Sequence, residues 1–128
     1  MTSAVERLSD TWHGHRAPHL VSVLDGHAHV VPVTVDVAGA AFRVDAPGRR
    51  TRAAVATDPA VTLVWSPARD GGHSLIVDGT AALDDLDDDA LLVRPTRAVL
   101  HRPGTASTPS SSGGSCGADC VELDPTLP

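Results

Sequence analysis

The 128-residue chain contains no lysine and no tyrosine, and it has few aromatic residues of any kind. All of its basic residues are arginine, and the excess of acidic residues gives a formal net charge of -6. A protein that coats nucleic acid needs a positive surface and aromatic rings that stack on bases. This composition offers neither, so we expect no nucleic-acid partner.

Long apolar runs are also missing. The opening residues, MTSAVERLSD, lack the apolar core of a signal peptide. No later run approaches the roughly 18 apolar residues of a membrane span. The two cysteines, Cys116 and Cys120, lie together near the C-terminus and are too few for the disulfide framework of a small secreted domain. These features predict a soluble, cytoplasmic protein without a membrane partner.

The aromatic residues are Trp12, Phe42 and Trp65 alone, so valine, leucine and alanine must fill most of the core. We expect Trp12 to be part of that core. A chain of this length has room for one small domain. A core of small side chains favours a dimer that shares burial between subunits. We therefore predict a homodimer.

The pattern of apolar residues and turns predicts two short helices and about six strands. Ser3 and Glu6 have the spacing of a capping box before a helix that ends near Trp12. The alanine-rich RRTRAAVATD predicts a second helix, which stops before Pro59. Tight-turn signals separate the strands, which favours an antiparallel barrel with helices over its openings. The predicted strands are 19–24, 27–37, 41–45, 60–65, 74–83 and 91–100.

Two prolines, an acidic block and a polar tail refine this outline. Pro32 and Pro95 lie inside predicted strands, where the missing N–H predicts an edge or a bulge at Pro32 and an edge or a kink at Pro95. The block DDLDDD, residues 84–89, predicts an exposed turn, and it lacks the spacing of a calcium loop. From Pro103 the chain becomes TASTPSSSGGS, which is typical of a flexible linker. We predict a domain over residues 1–102 and a tail with a Cys-x3-Cys pair over 103–128.

The strongest candidate for chemistry is the turn that opens the second helix, where Arg49, Arg50 and Arg52 surround Thr51. A helix N-terminus offers free amide donors and a positive dipole end, so arginine there costs up to about 1 kcal/mol unless an anion offsets it. The planar guanidinium and the threonine hydroxyl both suit phosphate. The alternative is that these arginines are solvated charges on a surface helix, and the residues alone leave both interpretations open.

Histidines and cysteines give weaker signals. His27 and His29 share one face of a predicted strand, but further ligands at a recognisable spacing are missing, so we predict no metal site. Cys116 and Cys120 do not have the redox Cys-x-x-Cys spacing. A local disulfide, a metal site with histidines and free thiols all remain open for them.

The segment HAHVVPVTVDVAGAAFRVDAPGRRTRAAVATDPAVTLVWSP, followed by SLIVDGTAAL, resembles the pyridoxamine 5'-phosphate oxidase-like superfamily, in a small actinobacterial-type branch. The resemblance covers roughly residues 12 to 102 and rests on the order and spacing of these pieces. It implies a mainly β fold, the six-stranded antiparallel split β-barrel, which pairs as a homodimer. It also implies FMN, or alternatively the deazaflavin F420, in a cleft between the subunits.

The resemblance further implies a set of cofactor-binding positions. The phosphate would meet the start of the second helix, while the ring and ribityl chain would follow the second and third strands and the start of the fifth. Several positions depart from the family pattern: Thr51 replaces a usual lysine, Ala54 a frequent asparagine, and Asp45 would repel a phosphate. The positions are Arg49, Arg50, Thr51 and Arg52 at the phosphate, His29, Val31, Pro32, Val44 and Asp45 along the ring and ribityl chain, and His73 and Ser74 at the ring edge.

The function implied by the resemblance is an oxidoreductase that transfers hydride to or from a small organic substrate. No catalytic residue is assigned, and His29 and His73 would be tested first because histidine titrates near neutrality. The tail replaces the substrate-binding segments of the true oxidases, so formation of pyridoxal phosphate is not expected. The alternative is a non-enzymatic protein that binds flavin, heme or another ligand, or a scaffold dimer that has lost the cofactor site.

Overall fold

The computed structural model describes residues 4–84, 87–103 and 118–123, which form two helices and eight strands. In chain order these are α1 (Ala4–Trp12), β1 (His19–Leu24), β2 (His27–Pro32), β3 (Thr34–Ala38), β4 (Ala41–Asp45), α2 (Arg49–Thr57), β5 (Ala60–Trp65), β6 (Ser74–Asp84), β7 (Asp87–Pro103) and β8 (Ala118–Leu123). The mainly β class predicted from the sequence is confirmed.

The strands form one antiparallel sheet in the order β2-β1-β5-β6-β7-β4-β3, with β8 added to β7. The two strands at the ends of this path, β2 and β3, are consecutive in the chain and only Val33 separates them. The sheet must therefore curl until its two ends meet at Val33. Within the described ranges β2 and β3 do not pair with each other, so the barrel stays open along that line.

The strand predicted over 27–37 is divided in the structure, which is one reason why eight strands are present instead of six. Pro32 lacks an N–H and ends β2, and the N–H of Val33 turns away to donate to the carbonyl of Pro18 at 3.1 Å. The chain then starts β3 at Thr34. Pro32 lies on a strand that pairs with β1 alone, so its prediction as an edge residue is confirmed.

Pro95 lies at a bulge in β7, where an edge or a kink was predicted. Its strand pairs with β6 on one side, while on the other side the pairing with β4 ends at Val93 and the pairing with β8 begins at Ala98, so Pro95 also lies at a local edge. The register shifts between Asp78 and Gly79, where Gly79 faces Pro95 and Thr96 is left out of the pairing. A Cβ on Gly79 would come 2.8 Å from the carbonyl oxygen of Arg94. Glycine therefore allows the bulged strand to approach this closely.

The core lies inside the curled sheet beneath α1, and its three aromatic rings are in contact. Trp12 stacks on Trp65 with ring centroids 4.7 Å apart, and it meets Phe42 edge-on at 5.2 Å. Trp65 and Phe42 are fully buried, while Trp12 is half-buried at the end of α1. Trp12 thus packs against the core as predicted and keeps one part exposed.

The helix α2 packs on β1 through a face made by Thr51, Ala54 and Val55. This spacing of three and four residues is that of one side of a helix. The helix ends at Thr57, and the N–H of Asp58 makes the last helical hydrogen bond, to Ala54 at 2.8 Å. The predicted stop before Pro59 is therefore confirmed.

The acidic block differs in part from the exposed turn that was predicted. Asp84 is the last residue of β6 and is buried, because the Nη1 of Arg43 lies 3.2 Å from its Oδ2 and balances its charge. Asp89 is exposed, as expected, although it lies in β7. Residues 85 and 86 lie outside the described ranges.

Part of the predicted tail carries the additional strand β8, which pairs with β7 from Ala98 to Pro103. Arg97 donates to Glu122 at 3.0 Å, and this hydrogen bond, together with the carboxylate's charge, raises the pKa of Arg97. The predicted linker TASTPSSSGGS and Cys116 lie outside the described residues. In the described part of the chain, no helix is long and apolar enough to cross a membrane.

Candidate functional site

The start of α2 is a helix N-terminus without a side-chain cap. Its N-cap is Gly48, whose φ of 97° is the left-handed conformation that favours glycine, and the first turn contains no acidic residue. The first helical hydrogen bond is donated by Arg52 to the carbonyl of Gly48. The amides before it, those of Arg49, Arg50 and Thr51, are the donors that a helix leaves without an intrahelical partner.

The three arginines of this turn are held differently. Arg52 is half-buried, and its guanidinium lies 3.8 Å from the side-chain carboxylate of Asp89. The backbone carbonyl oxygen of Asp89 accepts a hydrogen bond from the N–H of Ala46 at 2.7 Å. Arg49 and Arg50 are exposed, and the described part of the chain gives them no hydrogen-bonded or ion-pair partner. Arg52 therefore ties the turn to β7, while Arg49 and Arg50 carry charge toward solvent.

Asp45, which ends the strand before this turn, is paired inside the molecule. Arg43 donates from Nε to Asp45 at 2.9 Å and from Nη1 to Asp84 at 3.2 Å, so one guanidinium bridges two carboxylates. The expected repulsion between Asp45 and a phosphate is weakened by this pairing.

Thr51 lies on the face of α2 that packs on β1, whereas its hydroxyl was predicted to contact a phosphate. Its side chain is fully buried, and its Oγ1 has no hydrogen-bond partner among the described residues. The hydroxyl of Ser22, on β1 against which α2 packs, is in the same state. Solvent does not reach Thr51, so a ligand outside the helix cannot reach it unless the turn rearranges.

The remaining predicted positions are spread over three strands. His29 and Val31 are half-buried on one face of β2, and Pro32 is exposed on the other face. Val44 is fully buried in the core, so its side chain cannot contact a ligand without repacking. His73 and Ser74 are half-buried where β6 begins.

Strand register keeps two groups of these positions apart. Asp45 is opposite Ala90 near the start of β7, whereas Ser74 is opposite His101, eleven residues later on the same strand. At about 3.3 Å per residue these pairs are roughly 35 Å apart along the strand. A single chain therefore brings Asp45 close to the arginine turn in sequence and space, and leaves His73 and Ser74 remote from both.

A pocket of about 260 Å³ lies elsewhere, between the end of α1, the start of β1 and the start of β3. Its walls include Trp12, His15, Arg16, Pro18, Val33 and Trp65. The sequence interpretation missed this site, although the sequence HGHRAP, which follows Trp12, places two histidines and an arginine in one loop. Among the described residues, no group of three or more histidine, cysteine, aspartate or glutamate side chains could hold a metal ion.

Comparison with known proteins gives relatives by sequence and by structure. An uncharacterised protein of Mycobacterium bovis and one of Mycobacterium tuberculosis are each 37% identical over 131 aligned positions, which span 91% of this chain and 92% of the relative. No protein-family model matches the chain.

Three solved structures share the fold at low sequence identity. General stress protein 26 of Bacillus anthracis matches with a TM-score of 0.61 and 12% identity over 93% of this chain and 98% of that one. A presumed pyridoxamine 5'-phosphate oxidase of Listeria innocua has a TM-score of 0.58 and 15% identity, covering 75% of this chain and 96% of its own. A NimC/NimA family protein of Clostridium acetobutylicum has a TM-score of 0.57 and 13% identity, and the match covers 94% of this chain and 92% of that one. The chain therefore belongs to the family of these mycobacterial proteins, and it shares the fold of the three solved structures, which fits the predicted split barrel.

Proposed function

We propose that this protein is an oxidoreductase that binds a phosphate-bearing flavin or deazaflavin at the start of α2 and transfers hydride to or from a small organic substrate. The observation that carries the proposal is the pair Arg49 and Arg50, two exposed arginines without partners in the described chain, on a helix N-terminus without a cap. Since such a turn is unfavourable for an isolated helix, a bound anion would offset its cost.

The residues present fit a phosphate. Two exposed guanidinium groups and the uncapped amides at the start of the helix supply several hydrogen-bond donors for an anion. The nearest carboxylates are engaged, Asp45 by Arg43 and Asp89 by Arg52. A phosphate monoester, as in FMN, matches two arginines best, and F420 is the alternative.

The chain's own residues would act by binding and orienting. Arg49 and Arg50 would hold the phosphate, while Arg52 keeps the turn attached to β7 through Asp89. When bound, the flavin or deazaflavin ring would supply the hydride chemistry. His29, half-buried on β2, is the first residue to test for moving a proton, because imidazole can both donate and accept one.

We also propose that the site needs two copies of the chain. One chain keeps Asp45 and Ser74 at opposite ends of β7, so a ligand that contacts both groups must receive one of them from a second chain. The exposed apolar side chains Val23 and Val30 lie on one face of the adjacent strands β1 and β2 and would be covered in such a homodimer.

The alternative function is a binding protein or scaffold dimer without turnover. The observation in its favour is that two positions where the family pattern places donors, Val44 and Thr51, hold buried side chains that a ligand cannot reach. Fewer contacts to a cofactor are expected as a result.

Titration of the purified protein with FMN, F420 and riboflavin would test the proposal. We expect FMN or F420 to bind at micromolar concentration and riboflavin, which lacks the phosphate, to bind more weakly. Arg50→Ala should weaken FMN binding by about 1 to 3 kcal/mol, because a charge-assisted contact is lost. The matched control is Arg69→Ala, which changes an exposed arginine in the loop after β5.

Absence of micromolar binding to either cofactor would contradict the oxidoreductase proposal. If Arg50→Ala and Arg69→Ala change FMN affinity equally, the arginines of the turn are solvated surface charges and not a phosphate site. Binding without reduction of the cofactor by any tested hydride donor would favour the binding protein.

A further inference from the structure

The pocket at the end of α1 combines a flat apolar floor with a cationic rim. The indole rings of Trp12 and Trp65 are nearly parallel, with 8° between their planes, and both line the pocket. Pro18 and Val33, both buried, complete the apolar wall. An aromatic or other planar ligand could therefore lie against a wall of matching shape.

Arg16 on the rim is fixed by its backbone and by one side-chain nitrogen. Its N–H donates to the carbonyl of Ser66 at 2.9 Å, and its Nε donates to the carbonyl of Pro67 at 3.1 Å. Within the described residues Arg16 has no carboxylate partner. These two contacts hold the guanidinium in place and leave its terminal nitrogens available to an anion.

His15 lies on the same rim, next to Arg16 in the sequence. Its Nδ1 lies 3.1 Å from the carbonyl oxygen of Thr11, and its Nε2 lies 2.9 Å from that of His73. Both ring nitrogens therefore face backbone carbonyl oxygens, which fixes the orientation of the ring and leaves no ring nitrogen for a ligand.

Among the residues that the structure describes, no acidic side chain lines the pocket to balance the charge of Arg16. An apolar floor without compensating carboxylates selects a ligand that has its own negative charge at one end and a flat apolar body at the other. The volume of about 260 Å³ is below the roughly 300 to 1,000 Å³ of sites for drug-sized molecules, so a ligand with one ring is appropriate.

We propose that this pocket binds a small aromatic carboxylate, with the ring against Trp12 and the carboxylate at the terminal nitrogens of Arg16. The proposal does not depend on the flavin site, because the pocket shares none of its walls with the arginine turn. It adds a ligand class that the split-barrel fold does not by itself supply.

Benzoate and its neutral isostere benzamide are the probes that test this proposal. The chain has two tryptophans and both line the pocket, so the whole tryptophan fluorescence reports on it. We expect a saturable change of this fluorescence with benzoate and at least about tenfold weaker binding of benzamide, which lacks the charge. Equal affinity for the two probes, or no saturable change with benzoate, would overturn the proposal.

Two arginine variants separate the rim from general surface charge. Arg16→Gln should weaken benzoate binding about tenfold by removing the charged fork, while its affinity for benzamide stays unchanged. Arg69→Gln, at an exposed arginine on the facing loop that is not part of the pocket wall, should bind benzoate as the unaltered protein does. Equal loss in both variants would contradict a carboxylate site at Arg16.

The arginine turn provides the control for independence. Arg50→Ala should leave benzoate binding unchanged, and saturating FMN should not displace benzoate. Displacement by FMN would place the benzoate in the cofactor cleft and overturn a separate site. If the cofactor proposal fails but benzoate still binds through Arg16, the pocket proposal stands alone.

Discussion

The arginine turn at the start of α2 and the pocket beside α1 are both cationic, but their charges are held in opposite ways. Arg49 and Arg50 extend from a helix end with no partners among the described residues. Arg16 and His15 are fixed by hydrogen bonds to backbone carbonyls above two stacked indole rings. The first region has charge without an enclosing wall, and the second has both.

This difference predicts different selectivity. Exposed arginines and uncapped amides respond mainly to the charge of an anion, so the turn should prefer a doubly charged phosphate over a single carboxylate. The pocket, with a fixed arginine above a flat apolar surface, should also select ligands by the shape of their apolar part. Variants that alter one region and leave the other unchanged are therefore the sharpest tests of the comparison.

The largest expected effect comes from Trp65→Ala. Trp65 is 1% exposed and carries the floor on which Trp12 stacks. Its removal should lower the free energy of unfolding by about 3 to 5 kcal/mol, because a large core cavity is left. Benzoate binding should be lost with it, as measured by calorimetry, since Trp12 is then no longer stacked.

Trp65→Phe is the companion variant if the alanine protein does not fold. It keeps an aromatic ring in the core and should cost less stability. Benzoate affinity should fall while FMN affinity is unchanged. A parallel loss of both affinities would contradict the separation of the two regions.

A smaller effect is expected from Arg43→Ala, which acts on the arginine turn through Asp45, the last residue of the strand before the turn. The buried Asp84 would lose a cationic partner, and Asp45 would lose the guanidinium that balances its charge. We expect about 2 kcal/mol of destabilisation in chemical denaturation, less than for a fully buried pair because Arg43 is one-third exposed. FMN binding should weaken and benzoate binding should not.

Arg97→Ala is the matched control for that variant. It breaks an exposed pair with Glu122, which solvent screens well, so its effect on unfolding should be clearly smaller. A larger effect of Arg97→Ala than of Arg43→Ala would show that the bridge between Asp45 and Asp84 has no special importance.

The two regions also differ in how far the sequence could reveal them. The arginine turn follows from local signals, because Gly48, the arginines and Pro59 fix a helix start and stop within a few residues. The strand at 60–65 was likewise predicted with its observed bounds. The pocket depends on contacts between distant segments, such as His15 with His73, that no local pattern contains.

Three differences between the sequence interpretation and the structure have similar causes. The break at Val33 depends on its hydrogen bond to Pro18, and β8 depends on pairing with β7 across residues that are distant in the chain. The direction of Thr51 is a third case, because the helix was predicted but the side that packs on β1 was not. Local propensity gives the elements, and tertiary packing decides which side chains they expose.

The smallest expected effect is that of Thr51→Val, and it decides between the two possible roles of this residue. The Thr51 hydroxyl is buried without a partner among the described residues, while valine has nearly the same shape and no polar group to desolvate. We expect stability in chemical denaturation to be unchanged or raised by up to about 1 kcal/mol, and FMN affinity to be unchanged. Ser22→Ala, at the other unpartnered hydroxyl, is the matched variant for the stability effect. A clear loss of FMN affinity in Thr51→Val alone would mean that α2 turns this hydroxyl toward the phosphate when the ligand binds. The Thr51 hydroxyl would then be part of the phosphate site together with the arginines.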